Sequence, residues 1–220
     1  MGAIVAASAG ARGDNAPMSG PDRDFWQQRF ERGQTPWDRG EPGPQIPRWG
    51  ADGLLAAGQR VLVPGCGSGH DVAAIAALGC DVTGLDYAPA AVALARRRLA
   101  DAGVEAALVT ADALQWQPPQ PFDAVYDQTC WCALHPDRWA AYAQQLHRWL
   151  RPGGRLLLLA MQCRRDSAAD GRIEGPPYHL DVHSVRALAP EPAWRWPPPP
   201  YPRVAHPGIG YELAVVLERR

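Results

Sequence analysis

The chain predicts an α/β fold: a Rossmann-like, doubly wound, mostly parallel sheet of seven strands with an antiparallel C-terminal edge hairpin. Three observations carry this. The hydrophobic period switches repeatedly between that of a strand and that of a helix, as in alternating β and α units. A short apolar strand, Val61–Val63, runs into glycines at every second position, Gly65, Gly67 and Gly69, and then into an amphipathic segment from His70. A second apolar run, about 20 residues further on, ends in Asp86.

The elements follow in order. Residues 1–20 are rich in Ala and Gly and read as a disordered extension, with Met18 as an alternative start; residues 21–220 read as one domain. Strands are expected at Arg60–Val63, Asp81–Asp86, Glu105–Thr110, Ala124–Gln128 and Arg155–Met161. His70–Leu78 is a helix with Val72, Ile75 and Ala76 on one face and Gly79 as its C-terminal cap. Pro89 opens the next helix, at a position that tolerates a missing N–H, and Val92, Ala95 and Leu99 face the core. Pro136 opens another, striped by Trp139, Tyr142, Leu146, Trp149 and Leu150, and Arg151–Gly154 turns into the fifth strand. Tyr211–Leu217 is the final strand. The tetraproline Pro197–Pro200 before it reads as a rigid connection, with a ligand for a partner's aromatic groove as the alternative.

Composition removes several functions. At 220 residues and a net charge of −1, the chain lacks the basic surface that a nucleic-acid or membrane partner needs. All 22 basic residues are arginine, so a Walker P-loop, a pyridoxal Schiff base and a lysine general base are impossible. Five cysteines, Cys66, Cys80, Cys130, Cys132 and Cys163, sit in or beside apolar strands and read as reduced, buried thiols of a cytoplasmic protein. Cys130-Trp-Cys132 has no second pair, so no metal is expected. No signal peptide or run of about 18 apolar residues is present.

Ligands of a doubly wound sheet bind at the carboxyl ends of its strands. Those ends carry Pro64–Gly69, Asp86-Tyr87, Asp112-Ala113 and Asp127-Gln128-Thr129. Asp86 is placed to accept hydrogen bonds from ribose hydroxyls, and Asp112 to meet an adenine amine. Each aspartate has an ordinary alternative as a turn residue. The third glycine comes one position early for a dinucleotide fingerprint, and no basic residue lies in the turn to meet a pyrophosphate. The G-x-G-x-G spacing is the one used by S-adenosylmethionine-dependent methyltransferases.

Six segments then carry a resemblance: WQQRFERGQTPWDRGEPGP (Trp26–Pro44), VLVPGCGSGHDV (Val61–Val72), VTGLD (Val82–Asp86), FDAVYDQTCWCALHPDRW (Phe122–Trp139), LRPGGRLLLL (Leu150–Leu159) and GPPYHLDV (Gly175–Val182). Together they resemble the thiopurine S-methyltransferase family, in particular its branch of halide, thiocyanate and thiol methyltransferases. VPGCGSGHD and GPPY are specific to that group. The resemblance implies S-adenosyl-L-methionine as cofactor and a small-molecule methyl acceptor, and the chain is expected to be a monomer. It implies that the N-terminal aromatics Trp26, Phe30 and Trp37 fold over the cofactor, and that Gly65, Gly67, Gly69, Asp86, Tyr87, Asp112, Ala113 and Gln128 line it. Plant relatives carry Trp at the position of Phe30 and Tyr at that of Gln128. Tyr178 of GPPY is expected beside the acceptor.

A methyl transfer of this kind asks the protein to align a nucleophile, exclude water and discharge a sulfonium. A halide needs no base, whereas a thiol reacts better as its thiolate. Asp127 and Tyr178 are the expected catalytic residues, with His135, His179, Asp181 and His183 as further candidates for proton removal. The expected acceptor is a small thiol or thiopurine-like sulfur, the alternatives being halide or thiocyanate, or an oxygen or nitrogen of a natural product. A non-catalytic scaffold on the same fold is the reading from outside enzymology.

Overall fold

A computed structural model describes residues 20–163, 171–206 and 210–220. The expectation for residues 1–20 therefore falls, apart from Gly20, outside the described residues, as does Met18.

After α1 (Arg23–Glu31) and α2 (Ile46–Ala51), strands and helices alternate: β1 (Arg60–Pro64), α3 (His70–Ala77), β2 (Asp81–Asp86), α4 (Pro89–Ala102), β3 (Ala107–Thr110), β4 (Phe122–Gln128), α5 (Trp139–Trp149) and β5 (Leu150–Gln162). Then come α6 (Val182–Leu188), β6 (Trp194–Arg195), β7 (Arg203–Ala205) and β8 (Tyr211–Arg219). The sheet order is β3-β2-β1-β4-β5-β8-β6, with β7 also paired to β8. β1 to β5 pair in parallel and β8 runs antiparallel to β5. The order reverses between β1 and β4, which opens a crevice at their carboxyl ends.

Eight strands are paired rather than the expected seven, and β8 is not an edge. The outer neighbour of β8 is split into β6 and β7 because Pro197–Pro200 and Pro202 have no N–H for a ladder. Trp196 donates its indole N–H to Ala189 O at 2.8 Å, which ties the tetraproline's approach to the end of α6. The tetraproline is thus a connection between paired strands.

The core divides as a two-residue period demands. Val61, Val63, Ala124, Tyr126, Leu157 and Leu159 face one layer with α2 and α3, whereas Leu62, Val125, Leu156, Leu158 and Ala160 face the other with α5. Pro136 begins a single 3₁₀ turn, and α5 proper starts at Trp139. Its residues Tyr142, Leu146 and Trp149 are buried. All five cysteines are buried, and none is in a disulfide. Among the described residues no cluster of His, Cys, Asp and Glu can hold a metal, and no helix is long and apolar enough to cross a membrane.

Candidate functional site

The turn after β1 is built by its glycines. Gly65, Gly67 and Gly69 have φ of +61°, +52° and +84°, a region in which other residues are strained. A Cβ on Gly65 would lie 2.9 Å from Cys130 Cβ, and one on Gly69 2.8 Å from Ala95 Cα, so both are also packing positions. A Cβ on Gly67 would instead touch Phe30 at 3.7 Å, an ordinary contact, so there the positive φ rather than crowding calls for glycine.

Asp86 stitches this turn. One carboxylate oxygen accepts the Gly67 N–H at 2.9 Å and the other the Ala88 N–H at 2.9 Å. The two oxygens together offer about four acceptor sites, more than the amides of Ala88, Gly67 and Tyr87 use. Burial raises the Asp86 carboxyl above the usual range, against the main-chain amides of Ala88, Gly67 and Tyr87. Asp112 lies one strand over and accepts Leu114 N–H at 2.8 Å, and burial followed by the Asp112 charge pushes the Tyr87 phenol up. Ala113 follows Asp112, its carbonyl touched by the Gln145 amide at 3.3 Å.

A strap made of the end of α1 and residues 32–45 crosses the mouth of the crevice. Trp26 and Trp37 meet edge to face at 5.3 Å, and Phe30 and Trp37 at 5.9 Å, packing against Ala88 and Ala91 at the start of α4. Three polar fasteners hold the strap. Asp38 accepts the Ser68 hydroxyl at 2.6 Å and faces His70 Nε2 at 3.3 Å. Asp71 accepts the Gly43 N–H at 2.7 Å. Arg39 pairs with Glu212 of β8 at 2.9 Å and donates to Ala205 O at 3.0 Å.

Glu212 also receives the Gln128 amide at 3.1 Å, and the Tyr126 hydroxyl donates to the other end of that amide at 2.7 Å. Burial raises the Glu212 carboxyl to about 7, against the opposing pull of Arg39. Burial likewise pushes Asp71 to about 6. A carboxyl whose folded pKa lies above its ordinary 4.5 holds its proton more tightly folded than unfolded. That contribution is complete below about 4.5 and lost as pH rises through about 7, up to about 3 kcal/mol in all. The melting temperature of the wild type relative to Glu212→Gln should therefore fall across this window. A constant difference from pH 5 to pH 8 would contradict it.

Asp127 and Gln128 are neighbours on a strand and point to opposite faces. Asp127 turns inward: its oxygens accept the Tyr142 hydroxyl at 2.7 Å and the Trp131 N–H at 3.2 Å. Burial raises it to about 6. Its place is under the loop after β4, and Gln128 alone of the two lies with the strap. The next residue, Thr129, has φ +66° and donates its hydroxyl to Gln128 O at 2.6 Å. It is the one described non-glycine residue with positive φ.

Tyr178 lies beside this loop. Its N–H donates to Cys132 O at 2.7 Å, and its ring meets His135 edge to face at 5.4 Å. Burial raises its phenol. His135 is spent as a local cap, its Nδ1 accepting the Asp137 N–H at 3.4 Å at the start of the 3₁₀ turn. Asp181 accepts His183 N–H at 2.8 Å and Ser184 N–H at 3.0 Å as the N-cap of α6, and His183 is exposed. His179 keeps a buried Nδ1 without a partner.

The structure thus sets Gly65, Gly67, Gly69, Asp86, Tyr87, Asp112, Ala113 and Gln128 at or just after the carboxyl ends of β1 to β4, packs Trp26, Phe30 and Trp37 against the start of α4, and puts Tyr178 against the loop after β4. It turns Asp127 away. Asp38, Arg39, Asp71 and Glu212 join this set without a recognisable signature in the sequence beyond the DR of WDRG and the HD after the last glycine.

The residues fit a nucleoside-bearing cofactor. The glycine turn, the spare acceptor sites of Asp86 and the aromatic strap would be its walls, with Asp112 one strand further out.

A sequence model of the family "Thiopurine S-methyltransferase (TPMT)" matches residues 21–195. A probable thiol methyltransferase 2 of Arabidopsis thaliana is 36% identical over 167 residues, 75% of this chain and 71% of that protein. A solved structure from a study of the conversion of a disulfide bond into a thioacetal group during echinomycin biosynthesis is 28% identical, with a TM-score of 0.70 over 90% of this chain and 93% of that one. Magnesium protoporphyrin IX methyltransferase from Synechocystis PCC 6803 shares the fold, at 16% identity and a TM-score of 0.70 over 90% of this chain and 97% of that one.

Proposed function

The chain belongs to the thiopurine S-methyltransferase family, and from that premise we propose that it methylates a small thiol, with S-adenosyl-L-methionine as donor. When bound, that cofactor supplies an electrophilic methyl group on a sulfonium leaving group. Everything else falls to the chain's own residues. Asp86 would hold the ribose hydroxyls with the lone pairs that the glycine turn leaves free, and Asp112 the adenine amine. The main chain of Gly65 and Gly67 would take the methionine end. Trp26, Phe30 and Trp37 would exclude water and offer ring faces to the positive sulfur. Tyr178 would border the acceptor and fix its approach, where alignment is worth an effective molarity of about 10⁵ M or more. Asp127, whose oxygens are committed to Tyr142 and Trp131, would shape the loop beneath and not take the proton.

One observation favours a thiol over a halide. The fully buried charged residues, among those described, are Asp86, Asp127 and Glu212, all acidic, and the adjacent cation Arg39 is paired with Glu212. A halide has to enter as an anion against that field, whereas a thiol can enter neutral and give its proton to solvent as the new S–C bond forms and the donor's sulfur leaves as a neutral thioether. With a free pKa near 8.5, a thiol needs only modest help to do so. We place the enzyme in the cytoplasm, as a monomer without a nucleic-acid partner; five buried cysteines outside any disulfide and a near-neutral net charge agree with this.

Incubating the full chain with S-adenosylmethionine and a panel of hydrosulfide, thiophenol, a thiopurine, thiocyanate and iodide tests the reading. Methanethiol or thioanisole should form at least 10-fold faster than methyl iodide. Turnover of iodide with no thiol product would reverse the assignment.

A further inference from the structure

The Arg39–Glu212 pair is not needed by the cofactor site as described, yet it joins two segments 173 positions apart. The Glu212 side chain is 0% exposed and that of Arg39 10% exposed. A buried ion pair is weak as a source of stability, because desolvation of both charges offsets their attraction. What it does supply here is geometry. Glu212 holds the Gln128 amide from one side and Tyr126 from the other, so the amide cannot turn over without breaking both contacts. Arg39 meanwhile ties the strap to Glu212 and to Ala205 O, the last residue of β7. Gly43 sits on the same cluster: a Cβ there would run into the Tyr126 hydroxyl and the Gln128 amide, and its N–H is held by Asp71.

We propose that Arg39 and Glu212 are positioning residues for methyl transfer, a clasp that holds the aromatic strap closed over the glycine turn and fixes Gln128 at the end of β4. Neither touches the reacting atoms. Arg39 sets the strap that carries Trp37, and Glu212 sets Gln128, so loosening either one disturbs both walls of the crevice at once. This rests on the functional reading above for its catalytic consequence, and on the contacts alone for the clasp.

Removing Arg39 by itself strands a buried carboxylate and risks the fold, so the decisive variant is the doubly neutral Arg39→Met/Glu212→Gln, beside Arg39→Lys. Arg151→Gln serves as the comparison, because Arg151 pairs with Asp123 at 2.6 Å at the opposite end of the sheet. Three readouts are taken on the full chain: hydrogen exchange of the amides of residues 37–45, calorimetric affinity for S-adenosylhomocysteine, and kcat and KM with thiophenol. The clasp predicts at least 10-fold faster exchange in the strap, at least 10-fold weaker binding and at least 10-fold lower kcat in the double variant. It predicts partial recovery with Arg39→Lys, which keeps the charge, and wild-type values for Arg151→Gln. Wild-type exchange and affinity in the double variant, or equal losses in Arg151→Gln, would overturn it. A wild-type chain that binds S-adenosylhomocysteine but methylates no thiol defeats the functional reading instead, and the exchange and binding arms still decide the clasp.

Discussion

Replacing Asp86 by alanine should weaken the binding of S-adenosylhomocysteine about 10- to 150-fold, the equivalent of about 1.5–3 kcal/mol. Two losses combine in that figure. The carboxylate no longer accepts from the ribose, and the Gly67 and Ala88 amides lose the acceptor that holds the turn in shape. Asparagine separates the two. It can still accept from one amide, but presents its own N–H₂ to the other, so Asp86→Asn should fall between wild type and alanine in affinity. Calorimetric titration beside thermal melts checks both variants. An affinity unchanged in Asp86→Ala, with only the melting temperature lowered, would make the residue a turn stitch and nothing more.

Gly69→Ala should cost about 2–5 kcal/mol of folding stability, whereas Gly103→Ala should cost about 1–2 kcal/mol. Both glycines lie in the left-handed region, Gly69 at φ +84° and Gly103 at φ +64°. They differ in their surroundings. A methyl group on Gly69 meets Ala95 Cα of α4 at 2.8 Å, while nothing lies within 4 Å of one on Gly103. The backbone term is therefore common to the two, and the excess at Gly69 measures how firmly α4 is seated on the glycine turn. Because Ala91 on the same helix and Ala88 at its N-cap pack under the strap, that variant should also lose affinity for S-adenosylhomocysteine. Urea melts giving equal losses at the two positions would mean that α4 yields freely.

The strand, turn and helix from Val61 to Ala77 were legible because each step is local: a short continuous apolar strand, glycines where φ must be positive, an amphipathic helix after them. The family followed from contiguous motifs for the same reason. Asp127 shows where locality stops. A carboxylate at a strand end is readable, but which face it takes depends on the register of β4 against the layers, and Tyr142 claims it from α5. Glu212 was less legible still. In YELAVV it reads as the polar residue of an outer strand, and nothing local says that Arg39 and Gln128 come to meet it. The extra strand had a local cause, the prolines between β6 and β7, but its effect depends on which strand those residues pair with.

The five sealed cysteines bear on the choice of nucleophile. An enzyme that brings a reactive methyl group beside its glycine turn carries a thiol of its own, Cys66, within that turn, and Cys130 next to it. Burial pushes both thiols, with Cys80 and Cys132, above their ordinary range. At neutral pH they stay protonated and poor as nucleophiles. The protein thereby spares itself from alkylation by its own donor and from mixed disulfides with the thiols it serves, leaving the incoming substrate as the one sulfur ready to react.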